Sequence, residues 1–356
     1  MSGNPAPSWQ ALQAAGLVDG SQPEPSVESP WFVRLMLGVA GWMAAAFLLG
    51  FVAQGLGWLL DNDVATLAGG LSMMAAAWLL LRRLAHNDFA AQFALAVSFA
   101  GQALFSLGLV GLLGHDRPAT TFWLLTALLQ VVLAAVMPSS IHRLWSAFAA
   151  GVAIYLSLQG TVFAFATTAM ILAAAAWVWT CEFRWPQRCS IVRPLAYGLV
   201  LALVTLDMGS GLTGLLLGYT GDVSGNGDAL RWAGQLLSGA VLVWIVWRLL
   251  RRAGLGPRDR AAIVVLGGTA AVVLLSLEAP GIATGVSIIL LGFAHGNRLL
   301  TAIGIAALLL YIGGYYYRLE ITLLAKSQAL AVSGASILAL RWLALRWLGL
   351  NRTPVG

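Results

Sequence analysis

The feature that most limits the fold is a series of long apolar runs without charged residues, separated by short charged segments. Leu35–Leu60, Val64–Leu81 and Phe89–Gly114 are three successive examples. A helix needs about 20 apolar residues to cross a hydrocarbon core, which matches these runs. Since 60% of the 356 residues are hydrophobic and only 10% are charged, a water-soluble fold cannot bury this much apolar surface. The sequence therefore predicts an all-α, multi-pass bundle of transmembrane helices.

Two regions contain more apolar sequence than one crossing needs. Leu144–Thr180 has no charged residue, and as one helix it would be about 55 Å long at a rise of about 1.5 Å per residue. Basic residues flank this run on both sides, so we expect the chain to cross twice, with a break at Gln159 and Gly160. The same reasoning predicts a turn at Glu278–Gly281, where a proline and a glycine supply turn chemistry.

These breaks predict a bundle of about twelve helices. The remaining predicted helices are Ala119–Met137, Pro194 to about Thr213, Leu230–Trp247, Ala261–Leu277, Pro280–Ala294, Leu299–Tyr317 and Ile321–Leu345. Residues 1–30 are predicted to form a cytoplasmic arm and linker, residues 31–348 the transmembrane domain, and residues 349–356 a short cytoplasmic tail.

The distribution of arginine predicts which loops face the cytoplasm. In the twelve-helix scheme only Arg117, Arg231 and Arg318 fall in outer loops, and the other sixteen arginines fall in cytoplasmic loops. Cytoplasmic loops of membrane proteins carry an excess of Lys and Arg. Both termini are therefore predicted to be cytoplasmic. Because the basic residues stand in short clusters at the ends of apolar runs, they indicate topology and not nucleic-acid binding.

Lys326 is the only lysine of the chain, and it lies inside a predicted helix. From Glu320 it is about 9 Å into the membrane along a helix. Thr322 and Ser333 fall on the same helical stripe as Lys326, which favours a face packed against other helices. Two interpretations remain open: a lysine whose stem reaches back to the interface, or an amine that can lose its proton and pairs with an acid.

Two acidic residues are candidate partners for Lys326. Asp207 precedes a Gly-Ser-Gly segment, and a carboxylate at a broken helix is how many transporters build a binding site. The alternative is that the helix simply ends there and Asp207 begins an exit loop. Glu278 is the second candidate, with a surface position in the turn as its alternative.

A cluster of arginines on the predicted cytoplasmic side is a candidate surface for anionic lipid headgroups, at about 1 kcal/mol per residue. A protein partner docking there is the alternative. The cluster consists of Arg248, Arg251, Arg252, Arg258 and Arg260.

Several short segments together carry a family resemblance: Pro30–Arg34, Gly41–Trp42, Ala279–Gly281, Phe293, Gly296–Arg298, Tyr315–Tyr317 and Leu323–Ser327. They resemble a bacterial membrane family known only as a domain of unknown function. The resemblance covers nearly the whole chain and implies a multi-pass protein of the bacterial inner (cytoplasmic) membrane. It also implies membrane partners, among them a small protein with a GDYXXLXY motif, because the two are commonly encoded side by side. It assigns no catalytic residue, ligand or cofactor.

No arrangement of residues predicts an enzyme, a metal site or a cofactor. The histidines, His86, His115, His142 and His295, fall at the ends of predicted helices, so a serine in a span has no base within reach. The favoured hypothesis is a transporter-like or channel-like bundle with a polar site in its outer third. The alternative is a non-transporting scaffold or assembly subunit that acts with membrane partners. An intramembrane enzyme is the least supported class.

Overall fold

The computed structural model describes residues 31–55, 57–84, 87–114, 119–159, 161–181, 189–208 and 228–318, and isolated positions towards the two ends of the chain. This part contains long helices and no strand, so the all-α prediction is confirmed for it. The long helices are α1 (Trp31–Gly55), α2 (Asp63–Arg83), α3 (Asp88–Leu113), α4 (Ala119–Val136), α5 (Ser140–Leu158), α6 (Thr167–Cys181), α7 (Cys189–Asp207), α8 (Asp228–Arg252), α9 (Arg260–Glu278), α10 (Ile282–Ala294) and α11 (Arg298–Arg318), and a single helical turn at Gly57–Leu60 follows α1.

Seven of the described helices are long and apolar enough to cross a membrane: α2 to α5 and α7 to α9. Shorter apolar helical segments lie in α1, α6, α10 and α11. The protein is therefore a multi-pass integral membrane protein. The last predicted helix, Ile321–Leu345, lies mostly outside the described residues, so the number of twelve helices and the cytoplasmic termini stay predictions.

Both predicted breaks are confirmed, the first of them at Gln159, since Gly160 lies outside the described residues. Helix α5 ends at Leu158 with Gln159 in an extended conformation, and a single 3-10 turn at Ala164–Ala166 precedes α6. Between α9 and α10, Gly281 has a φ of +94°, a left-handed conformation that favours glycine over residues with a side chain. The chain thus reverses at the two places where its local sequence supplies turn chemistry.

Asparagine side chains define where three helices begin. Asn62, Asn87 and Asn297 each accept a hydrogen bond of 3.1 Å from the backbone N–H three residues later, at the starts of α2, α3 and α11. These bonds satisfy donors that have no partner within the helix. Each of these helices therefore has a starting point that its own sequence specifies.

Glycines allow α2 and α3 to pack backbone against backbone. A Cβ atom added to Gly70 would lie 2.5 Å from the backbone nitrogen of Phe105, and one added to Gly108 would lie 2.6 Å from that of Leu67. Both distances are too short for a side chain. In lipid, close packing of small residues is a main source of helix association. These two helices therefore form a tight antiparallel pair.

Six of the other helices, α5 to α8, α10 and α11, share one buried core. Helix α3 also contacts α1, α5 contacts α4 and α7, and α8 contacts α6, α9 and α10. The largest buried apolar cluster includes Leu172, Leu203, Ile245, Ile288 and Leu300, which come from five different helices. Helix α7 contacts both α10 and α11, and this contact places the C-terminal end of α7 beside the turn that starts α10.

Candidate functional site

Asp207 is the last residue of α7, and its carboxylate faces neighbouring helices. Its Oδ2 atom is buried and has no hydrogen-bond partner among the described residues. Thr284, in the first turn of α10, is a side-chain hydrogen-bond partner of this carboxylate. The Tyr311 side chain of α11 is close enough to interact with it electrostatically. The Tyr311 hydroxyl also donates a long hydrogen bond, 3.5 Å, to the Leu203 carbonyl. We call Leu203, Asp207, Thr284 and Tyr311 the aspartate site.

The aspartate site is closed from one direction by the turn between α9 and α10. A Cβ atom on Gly281 would lie 2.8 Å from ring atoms of Tyr311, so the turn backbone packs directly on the tyrosine. Tyr311 is only 3% exposed and Thr284 only 2%. Glu278, three residues before Gly281, is exposed, as expected for a turn residue at the surface. The structure thus separates the two predicted acids: Asp207 faces the bundle and Glu278 does not.

The other predicted members of this site cannot be placed. Lys326, Thr322 and Ser333 lie outside the described residues. The pairing of Lys326 with Asp207 or Glu278 therefore stays a prediction. Tyr311 and Thr284 were not predicted as site residues. The sequence gives only weak signals for these two residues. Thr284 comes three residues after a turn glycine, and Tyr311 lies inside an apolar run.

A second polar cluster joins α3, α4 and α5. The Nε2 atom of His142 lies 2.8 Å from Ser98 Oγ and 3.3 Å from Gln102 Nε2. Its Nδ1 atom lies 3.1 Å from Ser146 Oγ. Gln130 Nε2 donates to Gln102 Oε1 at 2.8 Å. His142, Ser98 and Ser146 are fully buried, and both glutamines are nearly so. We call these five residues the histidine site.

The orientation of the Gln102 amide favours one proton position on the imidazole. An amide nitrogen is only a donor, so the contact with Gln102 requires an unprotonated Nε2 on His142. The proton is then on Nδ1, which donates to Ser146. Gln102 Oε1 is occupied by Gln130, whose own Oε1 is buried without a partner among the described residues. The chain of bonds therefore ends on one unsatisfied acceptor.

An aromatic path leads from the histidine site towards α1. The ring of Phe99 stacks on His142 with centroids 5.6 Å apart, and Trp42 lies 5.8 Å from the same phenylalanine. The indole nitrogen of Trp42 donates to Gln92 Oε1 at 3.3 Å. The Gly41–Trp42 segment that carries part of the family resemblance thus packs on α3 next to the buried cluster.

His142 lies in the first turn of α5, at a helix end as predicted, but its side chain is fully buried. Helix α5 begins at Ser140, and the hairpin between α4 and α5 packs against the middle of α3. The sequence analysis did not predict the burial of His142, because this burial depends on how α5 packs against α3. Same-face pairs at a spacing of four, Ser98 with Gln102 and His142 with Ser146, are the signal that could have revealed the cluster.

Two arginines of the predicted headgroup surface contact the protein instead of lying free. Arg248 donates to the Thr180 hydroxyl at 3.2 Å, and Arg252 donates to the Thr180 carbonyl at 3.3 Å. Thr180 is in the last turn of α6, where cations interact favourably with the helix dipole. Headgroup binding by the cluster stays a prediction. The exposed side chains that do not contact Thr180 are those of Arg251, Arg258 and Arg260.

The chain belongs to the protein family described as Domain of unknown function (DUF4401), whose family profile matches residues 30–347. The resemblance to an uncharacterised family is therefore confirmed. No curated protein and no solved structure matches the chain. Since the family has no assigned activity, function has to be inferred from the two sites themselves.

Proposed function

We propose that this DUF4401 member is a transporter-like or channel-like bundle in which the aspartate site lies on the path of the transported species. The observation that carries the proposal is the buried Oδ2 of Asp207 at the junction of α7, α10 and α11, which has no hydrogen-bond partner among the described residues. Ionisable side chains within transmembrane segments are costly, and they usually mark pathways or relays. A carboxylate kept at this place therefore favours transport over a purely structural role.

The helix ends at the aspartate site support the same function. Helix α7 ends at Asp207, and α10 starts at Ile282 with Thr284 in its first turn. Transporters commonly bind substrates and coupling ions between the ends of discontinuous helices, because the free N–H and C=O groups there are available. A scaffold would gain nothing from a buried carboxylate at this position, since an uncharged cap would be less costly.

The location and partners stay expectations from the family resemblance. They are the bacterial inner membrane and a membrane partner with a GDYXXLXY motif. The alternative function is a non-transporting scaffold or assembly subunit, and close glycine packing such as that of α2 against α3 would suit it equally well. The experiment must therefore separate movement of a solute from assembly.

The test is ion movement by the purified protein in liposomes. Sodium, potassium and proton gradients are imposed one at a time, and charge movement is recorded on a solid-supported membrane. We expect wild type and the control Glu278→Gln to move charge in at least one gradient, and Asp207→Asn to lose this signal while eluting as a folded protein. Wild type that behaves as empty liposomes in every gradient would contradict transport and favour the scaffold.

A further inference from the structure

The described residues of the aspartate site present only oxygen atoms as ligands. They are the carboxylate of Asp207, the hydroxyls of Thr284 and Tyr311, and the carbonyl of Leu203. The histidine site is built on other helices and contributes nothing here. Hard cations prefer oxygen ligands, whereas zinc and copper prefer nitrogen and sulfur. The donor set therefore points to an alkali or alkaline-earth cation.

The helix ends give this site a defined electrostatic pattern. The N-terminal end of α10 carries a partial positive charge, which supports a negative carboxylate beside Thr284. The C-terminal end of α7 carries a partial negative charge, and Asp207 adds to it. A cation beside the Asp207 carboxylate would be attracted both by this carboxylate and by the partial negative charge of the end of α7. Half-helix ends coordinate coupling ions in transporters by this arrangement.

The charge of the site selects among hard cations. The aspartate site contains one carboxylate, and the nearby Glu278 is exposed at the surface. Calcium sites take about 6–8 oxygen ligands and usually several carboxylates. One carboxylate with neutral oxygens balances a single positive charge. We propose that the aspartate site binds a monovalent alkali cation; this inference rests on the proposed transport function and names its substrate or coupling ion.

Lys326 is the alternative cation for this site, because its sequence position predicts that it pairs with Asp207. An ammonium group at the site would exclude a metal ion and would make stability independent of the salt used. The two possibilities therefore differ in a quantity that can be measured on the intact protein.

The experiment is thermal unfolding of the full-length protein in detergent at constant ionic strength, in LiCl, NaCl, KCl or N-methylglucamine chloride. A cation at ten times its Kd shifts the folding equilibrium about tenfold. We expect a higher Tm with at least one alkali cation than with N-methylglucamine, in wild type and in the exposed-acid control Glu278→Gln. The increase in Tm should vanish in Asp207→Asn and become smaller in Tyr311→Phe. The phenylalanine variant removes only a hydroxyl group, so it tests the site even if Asp207→Asn does not fold.

Two results would overturn the cation site. The first is the same Tm in all four salts for wild type. The second is destabilisation by Asp207→Asn and by Lys326→Met that is relieved in the double variant, in any salt, because this would show an internal ion pair. A proton-driven current without a cation-dependent Tm would refute the cation site and leave transport standing. A cation-dependent Tm without any current would support the cation site and refute transport.

Discussion

The substitution Gln102→Leu tests whether the histidine site holds α3 against α4 and α5. Gln102 is 7% exposed, and it connects His142 with Gln130. Leucine is similar in size, so the variant removes two hydrogen bonds without a large cavity. It also leaves the buried amide of Gln130 with no acceptor, which is the more costly consequence.

The expected loss of stability follows from these contacts. Side-chain hydrogen bonds in membrane proteins average about 0.6 kcal/mol, so two of them contribute about 1 kcal/mol. A buried donor left without a partner adds about 1–3 kcal/mol. The free energy of unfolding should therefore fall by about 2–4 kcal/mol, a decrease of about 30- to 1000-fold in the folding equilibrium constant.

The assay is equilibrium unfolding in mixed micelles of a mild detergent and dodecyl sulfate, followed by the fluorescence of the tryptophans. Gln54→Leu is the matched control, since Gln54 is exposed on α1 and should change stability by less than about 0.5 kcal/mol. In the double variant Gln102→Leu/Gln130→Leu part of the loss should be recovered, because both partners of the strongest bond are removed together. Equal stability of Gln102→Leu and Gln54→Leu, or strict additivity in the double variant, would refute the reasoning.

Three further predictions concern the fold. Gly108→Ala should lower the Tm, because its Cβ would lie 2.6 Å from a backbone nitrogen of α2. Gly267→Ala is the control and should leave the Tm unchanged, because its Cβ meets nothing within 4 Å. A thermal scan of both variants measures the difference. Arg248→Gln should lower the Tm more than Arg258→Gln, since only the former loses the bond to α6, and equal shifts would contradict this role. A reporter fused after Gln159 should report the outside, and a cytoplasmic signal would show that the twelve-helix prediction is wrong.

The helices of this protein are largely readable from its sequence. Transfer of a segment from water into lipid depends on the residues of that segment alone, so the long charge-free runs identify helices such as α3 and α4 without knowledge of their neighbours. The reversals at Gln159 and Gly281 are equally local, because a φ of +94° is available to glycine through its own covalent structure.

The partners within each site could not be read in this way. Ser98 and His142 are 44 residues apart, and Leu203 and Tyr311 are 108 apart. A hydrogen bond between distant residues depends on how the helices are rotated and how deeply they are set, and no single segment contains this information. For this reason the burial of His142 against Ser98 was not predicted from the sequence.

Asp207 illustrates both what the sequence determines and what only the tertiary structure determines. The sequence alone identified it as an acid at the end of an apolar run, because such a residue is costly in lipid wherever it points. Only the tertiary structure decided that it faces Thr284 and Tyr311 while Glu278 remains at the surface. The cost of placing a charge in lipid is set by residue type and depth, whereas its partners are set by the packing of α7 against α10 and α11, which only the folded chain specifies.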